Sequence, residues 1–576
     1  MLDWDDLLPQ CAYACPPGGW RPAAVAAAIE SIRKNAAVEI DWTRLGESLQ
    51  GRPIAMVTVG GGPTRVLLWS QIHGDEPTHT TALLNLLRLL TRADGSGERL
   101  RRGLTVGVVT PLNPDGAEHK TRHNAQGIDV NRDFRRFATA ESQALRSAFE
   151  GFTPDYAFNL HNQPPRRAMP DPPRRPASAS LQVPPVDADD TQTDSVRRAV
   201  QVAATFRRAI APHCEGRVSR YPADWMPRAS GDWSQARGVA TVLVEAGGWP
   251  DHDFAAMERA HFAALVQTLD AIASTALGEP GGIDDADAAD YTDLPRSSTR
   301  HLFDRVFAVG GVAQLGAEDI AVVGRGHIGV DFPDRTAGGD EPAAGSIAAI
   351  GDLEDEGGLS TVETPAIALP GRIVLAEAPE SAFDDSPADW DTLARLGVTT
   401  TLVPINLADP AFEAAIVQAM HDVPPLHAAL VARWDGPEPD AAEALDRLTV
   451  AISAGVVATL GEMPPLIAAA AERLGLSSLD PEAVPRRADG APPTVSDWLL
   501  EVKRVAAALR LGRRGRIQLK AVADIALVRV DGDRIRDDST EAVYVGGRRV
   551  LDADGLSPNS PGRWLRRHAD GAADDR

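Results

Sequence analysis

Short apolar runs alternate with helix-like segments between Ile54 and Ser274, and this alternation restricts the possible folds more than any other feature of the sequence. Runs such as Arg65–Ser70 (RVLLWS) and Val239–Val244 (VATVLV) are typical of buried strands. The segment Thr78–Leu90 between them has the apolar spacing of a helix. Strands that alternate with helices favour an α/β domain with a largely parallel sheet that is covered on its faces.

The same reading predicts further elements, and it predicts one long interruption. The remaining strands are Leu104–Thr110 and Asp155–Leu160, and the remaining helices are Ser142–Phe149, Ser195–Ile210 and Asp253–Ile272. The segment Pro164–Pro185 contains eight prolines and four arginines, so it cannot form a continuous helix or a central strand. We expect a surface loop there, in a position where it could face a substrate.

The chain is long enough for two large domains, and its composition changes near residue 277. We predict a first domain over 1–276, an acidic Gly-rich linker over 277–294, a second domain over 295–560 and a tail over 561–576. The second domain begins with short β-like runs, including Ile320–Val323. Helix-like stretches follow, including Ser496–Leu511, which favours an α/β domain with a β-rich subdomain.

The charge distribution narrows the classes of partner. Residues 1–275 carry 31 acidic and 30 basic side chains, whereas the rest of the chain carries 50 and 28. An acidic second half argues against nucleic acid and anionic membrane surfaces as partners. The sequence lacks an apolar run of transmembrane length and a basic, apolar leader, and it has three cysteines, so we expect a cytoplasmic protein. Four lysines among 58 basic residues suggest a bacterial genome rich in G and C.

Three residues at the ends of predicted strands have the composition of a catalytic zinc site. His73 and Glu76 follow the strand RVLLWS, and His161 ends the strand DYAFNL. Open α/β sheets bind ligands at the carboxyl ends of their strands. Two histidines and one glutamate, with a fourth position open for water, are typical ligands of catalytic zinc.

Further polar residues fit hydrolytic chemistry at that edge. Glu245 closes the strand VATVLV, where a carboxylate could take a proton from water and pass it to a leaving group. Arg122 and Arg132 could bind a carboxylate or a developing oxyanion through several N–H donors. Arg132 follows Asn131 within the run GIDVNRDF.

Five of these segments occur in the same order in M14-type zinc carboxypeptidases, and the sequence resembles that family. The segments are HGDE (residues 73–76), NPDG (113–116), GIDVNRDF (127–134), the strand-end His161 and VEAGG (244–248). The resemblance spans about Ile54–Ser274. It implies a carboxypeptidase-like fold, with a mixed, mostly parallel sheet covered by helices, and a zinc-dependent peptidase activity.

The resemblance also assigns roles to individual residues. His73, Glu76 and His161 match the three ligands of one Zn²⁺ per chain, and Glu245 matches the general base and acid. The expected mechanism is attack on the scissile carbonyl by a zinc-activated water that has lost its proton to Glu245.

The residues implied for substrate binding surround that centre. Asn131 and Arg132 match the pair that binds the terminal carboxylate, and Arg122 matches the arginine that polarises the scissile carbonyl. Tyr221 is the best candidate for the family's mobile tyrosine. His161 lies only 29 positions after Arg132, and the loop after His161 is rich in proline and arginine, so we expect a reshaped substrate pocket.

The second half resembles a different family. Segments around Ala368–Val374, Leu396–Thr400 and Leu511–Ile517 resemble the opening and closing strands of amidohydrolases. The His-x-His pair that this family needs after its Pro-Gly segment is absent, because the chain reads VLAEAP there. This resemblance implies a shortened relative without metal ligands.

Three functions remain open at this point. The first is a carboxypeptidase acting on peptides, and the second is a zinc-dependent deacylase of small N-acyl amino acids, similar to succinylglutamate desuccinylase or aspartoacylase. The third is a binding protein that keeps the fold without catalysis. Intact His73, Glu76, His161 and Glu245 argue against the third function. The expected partner is a peptide or small amide substrate.

Overall fold

We describe a computed structural model of the chain. It describes residues 7, 9, 11–16, 19–93, 95–171, 174–222, 224–250, 253–298, 302–312, 326–332, 346–351, 353, 357–364, 366–370, 372–375, 398–414, 427–437, 439–453, 458–460, 462–473, 477–479, 525–531, 534–545, 548–552, 555–556, 564–567 and 573–574. These residues form two compact units, which are described separately. One comprises the described residues up to Leu302 together with residues 357–360, and the other comprises the remaining described residues from Phe303 onwards.

The first unit is built on an eight-stranded sheet of order β1-β2-β4-β3-β5-β8-β6-β7. Neighbours β4/β3, β3/β5, β5/β8 and β6/β7 are parallel, whereas β1/β2, β2/β4 and β8/β6 are antiparallel. The sheet is therefore mixed, as predicted. Its strands are β1 (Asp41–Glu47), β2 (Pro53–Gly60), β3 (Thr64–Ser70), β4 (Leu104–Val109), β5 (Tyr156–Asn162), β6 (Ala179–Gln182), β7 (Val218–Arg220) and β8 (Ala240–Ala246).

Helices cover this sheet, and side-chain caps fix where several of them begin. The helices are α1 (Pro22–Lys34), α2 (Thr78–Leu90), α3 (Gly95–Gly103), α4 (Pro114–His119), α5 (Ala140–Phe152), α6 (Asp194–Ile210), α7 (Ser230–Gln235), α8 (Phe254–Leu277) and α9 (Ala289–Thr292). The side chains of Thr139, Thr193 and Asp253 accept hydrogen bonds from the first turns of α5, α6 and α8. Gly278, with a φ of 67°, ends α8.

The two faces of the sheet bury different sets of side chains. Along β5, Tyr156, Phe158 and Leu160 join the larger apolar core, whereas Ala157 joins a smaller core with Trp69 and Phe149. Strand alternation therefore turns His161 to the same face as Ala157. The predicted site residue thus leaves the sheet on the face that carries α5.

The Pro/Arg-rich segment contains a strand that sequence reasoning excluded. Within Pro164–Pro185, Ala179–Gln182 forms β6, which lies inside the sheet between β8 and β7. The expectation that the whole segment is a surface loop is therefore wrong at its end. The reason is local, because no proline occurs between Pro176 and Pro184 and every residue of β6 can donate its backbone N–H.

The acidic segment 277–294 has ordered elements of its own. A 3₁₀ turn covers Ile283–Asp285, and α9 follows. Ile283 and Tyr291 are buried in the larger core, and the Tyr291 hydroxyl accepts a hydrogen bond from the backbone N–H of Val183 at 2.9 Å. These residues group with the first compact unit.

The second unit contains an antiparallel sheet, a mixed sheet and a largely parallel sheet. Its antiparallel ladders join β11 (Gly326–Asp331) to β9 (Phe303–Val309) and β12 (Ser346–Gly351), and β20 (Ile525–Asp531) to β14 (Ile367–Pro370) and β21 (Arg534–Val545). The parallel sheet contains β15 (Arg372–Leu375), β16 (Val398–Asn406), β17 (His427–Arg433), β18 (Ala458–Leu460) and β19 (Ser477–Leu479). Helices α10 (Ala441–Ser453) and α11 (Pro465–Arg473) accompany it. The unit is an α/β domain with a β-rich part, as predicted.

The remaining strands after Phe303 are short: β10 (Gly311–Val312), β13 (Gly358–Glu363), β22 (Arg548–Asp552), β23 (Gly555–Leu556), β24 (Trp564–Arg567) and β25 (Ala573–Asp574). Several predictions lie outside the described residues: the strand Ile320–Val323, the helix Ser496–Leu511 and the segment Leu511–Ile517. Among the described residues, none of the helices has the length and apolar content to span a membrane.

Candidate metal centre and active site

Two loops that leave neighbouring strands are joined by backbone hydrogen bonds, and one of them carries His73 and Glu76. Beyond the ends of β3 and β4, the N–H of Leu112 donates to Ser70 O at 3.0 Å, and the N–H of Asn113 donates to Gln71 O at 2.9 Å. Gln71 has a left-handed φ of 50°. The N–H of Glu76 then donates to His73 O at 3.2 Å, so the loop turns back and brings the two side chains together.

His161 and Glu245 reach the same edge of the sheet from the next two strands. They are register partners in the parallel pair β5/β8, and both are buried. Because the carboxyl ends of parallel strands share one edge, the loop after β3 lies beside them. The structure therefore brings together the strand-end residues that the sequence identified separately.

The side chains of His73, Glu76 and His161 form a compact cluster of possible metal ligands. Their ligand atoms all lie within 4.8 Å of one another. Nδ1 of His73 is 2.8 Å from one Glu76 carboxylate oxygen, Nδ1 of His161 is 2.8 Å from the other, and the two Nδ1 atoms are 3.2 Å apart. Bonds of about 2.0–2.1 Å to a tetrahedral zinc require donor atoms only about 3.3 Å apart. The donor types and their spacing therefore fit zinc.

Asp129 fixes the ring of His73 from behind, and sequence reasoning assigned it no role. Its Oδ1 is 3.2 Å from Nε2 of His73, and its Oδ2 accepts hydrogen bonds from Nε and Nη2 of Arg122 at 3.1 and 2.9 Å. A proton held on Nε2 leaves the Nδ1 lone pair free for a metal. The available signal was an aspartate two residues before Asn131, but nothing in the sequence indicated that it would face His73.

In the absence of a metal, the pKa values of the three side chains shift in different directions. Burial alone would lower the pKa of His73, but Glu76 and Asp129 raise it to about 9. Burial would raise the pKa of Glu76, but the two facing imidazoles hold it below its usual range. For His161, burial prevails and lowers the pKa. The carboxylate of Glu76 is therefore ionised, as a metal ligand must be.

Glu245 differs from the other acidic groups in its environment. Burial, followed by the negative charge of Glu76, raises its pKa well above the usual range of a carboxyl group. Its Oε2 atom is buried and has no hydrogen-bond partner among the described residues. A divalent cation among His73, Glu76 and His161 would oppose this rise, because nearby positive charge favours the ionised carboxylate.

Arg122 lies beside the cluster, and its guanidinium is partly exposed. Its Nη1 is 3.2 Å from Nδ1 of His73 and 3.8 Å from a carboxylate oxygen of Glu76. The ion pair with Asp129 holds the guanidinium in this position. A group bound next to the three possible ligands would therefore meet an N–H donor of Arg122.

Asn131 and Arg132 lie in a 3₁₀ turn that covers Val130–Arg132. Oδ1 of Asn131 accepts hydrogen bonds from the backbone N–H and the hydroxyl of Ser230, both at 2.8 Å, and its Nδ2 is 3.5 Å from Nε2 of His161. The Arg132 guanidinium donates to Asn131 O at 2.8 Å and is partly exposed. The other N–H donors of Arg132 have no hydrogen-bond partner among the described residues.

Tyr221 follows β7 and faces the same region. Its N–H donates to Leu181 O at 2.9 Å, and its ring packs against the guanidinium of Arg167. Burial, followed by the charge of Glu245, raises the pKa of the phenol, so it stays protonated at neutral pH. Tyr221 therefore lies within electrostatic range of Glu245, where its hydroxyl is a possible hydrogen-bond donor.

Comparisons with known proteins agree with this site. The zinc carboxypeptidase family model matches residues 27–251, and all the site residues named in this subsection lie within that range. The resemblance to zinc carboxypeptidases is therefore confirmed for this part of the chain. The resemblance of the second half to amidohydrolases stays a prediction.

Individual relatives cover short parts of the chain. A probable carboxypeptidase 2 of Trichophyton verrucosum is 30% identical over 97 residues, which are 17% of this chain and 19% of that protein. Carboxypeptidase SOL1 of Arabidopsis thaliana is 27% identical over 99 residues, 16% of this chain and 20% of that protein. The chain thus spans about a fifth of the length of these relatives. A metallo-carboxypeptidase structure from Burkholderia cenocepacia is 17% identical, with a TM-score of 0.35, over 43% of this chain and 69% of that one.

Proposed function

We propose that this chain, whose residues 27–251 match zinc carboxypeptidases, is a zinc metallopeptidase that hydrolyses the C-terminal peptide bond of peptides. The observation that carries the proposal is the convergence of His73, Glu76 and His161 beside the buried Glu245. One Zn²⁺ per chain would bind at the three converging side chains.

The proposed mechanism divides the work among the protein's own side chains. Zinc at this cluster would supply a Lewis acid and would lower the pKa of a water to about 7. Glu245 accepts a proton from the attacking water and delivers it to the departing amine. The free N–H of Arg122 donates to the carbonyl oxygen as negative charge develops on it.

Substrate recognition explains why the terminal bond is the one cleaved. The partly exposed Arg132 guanidinium and the Asn131 amide bind the free carboxylate of the last residue. The Tyr221 hydroxyl donates a further hydrogen bond to the bound peptide. This arrangement fixes the distance between the terminal carboxylate and Glu245, so only the last peptide bond reaches the reactive position.

Two substitutions separate metal binding from catalysis. We expect Glu245→Gln to keep zinc and to lose peptide hydrolysis, because Glu245 accepts protons but is not a proposed ligand. We expect His161→Ala to lose both. Glu150→Gln removes an exposed carboxylate that pairs with Arg146 on α5, and it serves as the control that retains both properties. Zinc per chain is measured by atomic emission, and hydrolysis by mass spectrometry of a peptide pool.

The assay also distinguishes the alternative function. Zinc-loaded protein that leaves every peptide intact but hydrolyses N-acyl amino acids would support the deacylase. Hydrolysis at the wild-type rate by Glu245→Gln would contradict the assignment of the general base. A cytoplasmic location and the absence of nucleic-acid and membrane partners stay predictions.

A further inference from the structure

Arg167 lies at the edge of the proposed active site and has no part in the mechanism above. It belongs to the Pro/Arg-rich loop after β5, and its side chain is partly exposed. Its guanidinium carbon lies 4.5 Å from the ring centroid of Tyr221, and its Nε donates to the hydroxyl of Ser297 at 2.6 Å. Two contacts therefore hold this cation in one place.

The backbone of the loop is attached to the strand end that carries Glu245. The N–H of Gln163 donates to Ala246 O at 2.9 Å, and its side-chain amide donates to Ala177 O at 2.7 Å. The carbonyl oxygen of Pro165 packs so closely on Gly248 that a Cβ there would lie 2.0 Å from it. Arg167 follows within a few residues, so these contacts keep it near the carboxyl end of β8.

Arg167 also influences the central groups of the site. Its positive charge opposes the effect of burial on the pKa of both Glu245 and Tyr221. Such an influence requires that the guanidinium lies within electrostatic range of both side chains. The contacts of the loop and the electrostatics therefore agree on its position.

The acidic side chains of the site do not pair with Arg167. Arg122 pairs with Asp129. In the proposed mechanism, Arg132 binds the terminal carboxylate of the peptide. Glu76 and Glu245 offset the two charges of a zinc ion. Among the residues that the structure describes, Arg167 forms no ion pair with a carboxylate; its contacts are the Ser297 hydroxyl and the Tyr221 ring.

We propose that Arg167 binds a second carboxylate of the substrate, so that preferred peptides have aspartate or glutamate as the last or next-to-last residue. The inference rests on the proposed function. A partly exposed guanidinium with free Nη atoms suits a carboxylate, which it can bind with two parallel hydrogen bonds. An amide of the same shape lacks the charge and would bind less tightly.

The test compares four peptides that differ only near the C-terminus. They end in Ala-Glu, Ala-Gln, Glu-Ala and Gln-Ala, and kcat/KM is measured for each with zinc-loaded full-length protein. We expect wild type to prefer glutamate over glutamine about tenfold or more at one of the two positions, and that position identifies the source of the carboxylate. Raising the ionic strength from about 0.05 M to about 0.5 M should reduce the preference, because screening weakens partly exposed charge pairs.

Variants attribute the preference to Arg167. In Arg167→Gln, the ratio of kcat/KM for the glutamate peptide to kcat/KM for the glutamine peptide should fall close to one, mainly because the glutamate peptide is cleaved more slowly. Arg167→Lys should keep part of the preference for glutamate. Arg65 is the matched control, because its guanidinium also lies 4.5 Å from an aromatic ring, that of Phe152, at the opposite end of β3. Arg65→Gln should leave the ratio unchanged.

Equal rates for glutamate and glutamine peptides would overturn the inference. The same conclusion would follow if Arg167→Gln slowed both peptides equally, because Arg167 would then only support Tyr221. If zinc-loaded wild type cleaved no peptide at all, these four included, the proposed function would fail, and the inference would fail with it.

Discussion

Gly74 and Gly116 are in direct backbone contact. A Cβ on Gly74 would lie 1.9 Å from the carbonyl carbon of Gly116 and 2.1 Å from the N of Ala117. Gly74 belongs to the loop that carries His73 and Glu76, and Gly116 lies in the first turn of α4. The glycine in HGDE therefore lets one loop rest on the next, and this contact sets the position of two proposed zinc ligands.

Replacement of this glycine should disturb metal binding as well as stability. In Gly74→Ala, the new methyl group cannot move away from backbone atoms, so we expect a loss of about 1–3 kcal/mol in the free energy of unfolding. We also expect zinc affinity to fall about tenfold or more, because the loop with His73 must shift. Urea unfolding and chelator competition measure the two effects.

The control is a glycine that has space around it. A Cβ on Gly151, in α5, would meet nothing within 4 Å. Gly151→Ala should therefore keep zinc affinity and should be neutral or more stable by up to about 1 kcal/mol. Wild-type zinc affinity in Gly74→Ala would contradict the role given to the backbone contact.

Asp129 should contribute to zinc affinity through His73. In Asp129→Ala, Nε2 of His73 loses its partner and Arg122 loses its ion pair, so we expect zinc affinity to fall about 10–100-fold. Asp129→Asn keeps an oxygen that can accept from Nε2, so it should lose less. Chelator competition on both variants measures the order.

An ion pair elsewhere in the same unit provides the comparison. Asp290 lies 2.9 Å from Nη1 of Arg207, as close as Asp129 lies to Nη2 of Arg122. Asp290→Ala should leave zinc affinity unchanged. If Asp129→Ala bound zinc as tightly as wild type, the orientation of His73 would not depend on this carboxylate.

Glu258 on α8 should make stability depend on pH. It accepts hydrogen bonds from the Thr81 hydroxyl and the N–H of Cys15, and burial raises the pKa of its carboxyl group to about 7. The unfolded value is about 4.3, so between these two pH values the folded state binds a proton that the unfolded state does not. The contribution of Glu258 to stability therefore decreases as pH rises from about 4.3 to about 7.

Glu258→Gln removes the ionisation and keeps a side chain of the same size. The free energy of unfolding of the variant relative to wild type should rise by up to about 3 kcal/mol between pH 4.5 and pH 8, because only wild type carries a carboxyl group that must ionise while buried. Urea unfolding of both proteins across this range tests the sign. A difference in stability that stays constant with pH would show that Glu258 does not titrate in the folded protein.

The sequence indicated the polar residues that converge at the strand ends better than it indicated their neighbours. His73, His161 and Glu245 could be found because each follows a recognisable apolar strand, and strand ends are local features. The register between His161 and Glu245 depends on the pairing of β5 with β8, which are far apart in sequence. No local pattern specifies that pairing.

Long-range packing also explains what sequence reasoning missed. Asp129 faces His73 although the two residues are 56 positions apart in sequence, and β6 enters the sheet despite prolines on both sides. Arg167 gains its position from the contact of its loop with Gly248. Each of these features requires the assembled sheet, whereas an apolar strand and the polar residue that ends it can be recognised beforehand.

The proposed activity is the removal of residues from the C-terminus of peptides. The most direct measurement is a mass-spectrometric time course of zinc-loaded protein with two peptides of one sequence, one with a free C-terminal carboxylate and one with an amide. We expect stepwise loss of C-terminal residues from the free acid, little cleavage of the amide, and no cleavage of either by Glu245→Gln. Equal cleavage of both peptides, or internal cleavage, would contradict the proposed activity.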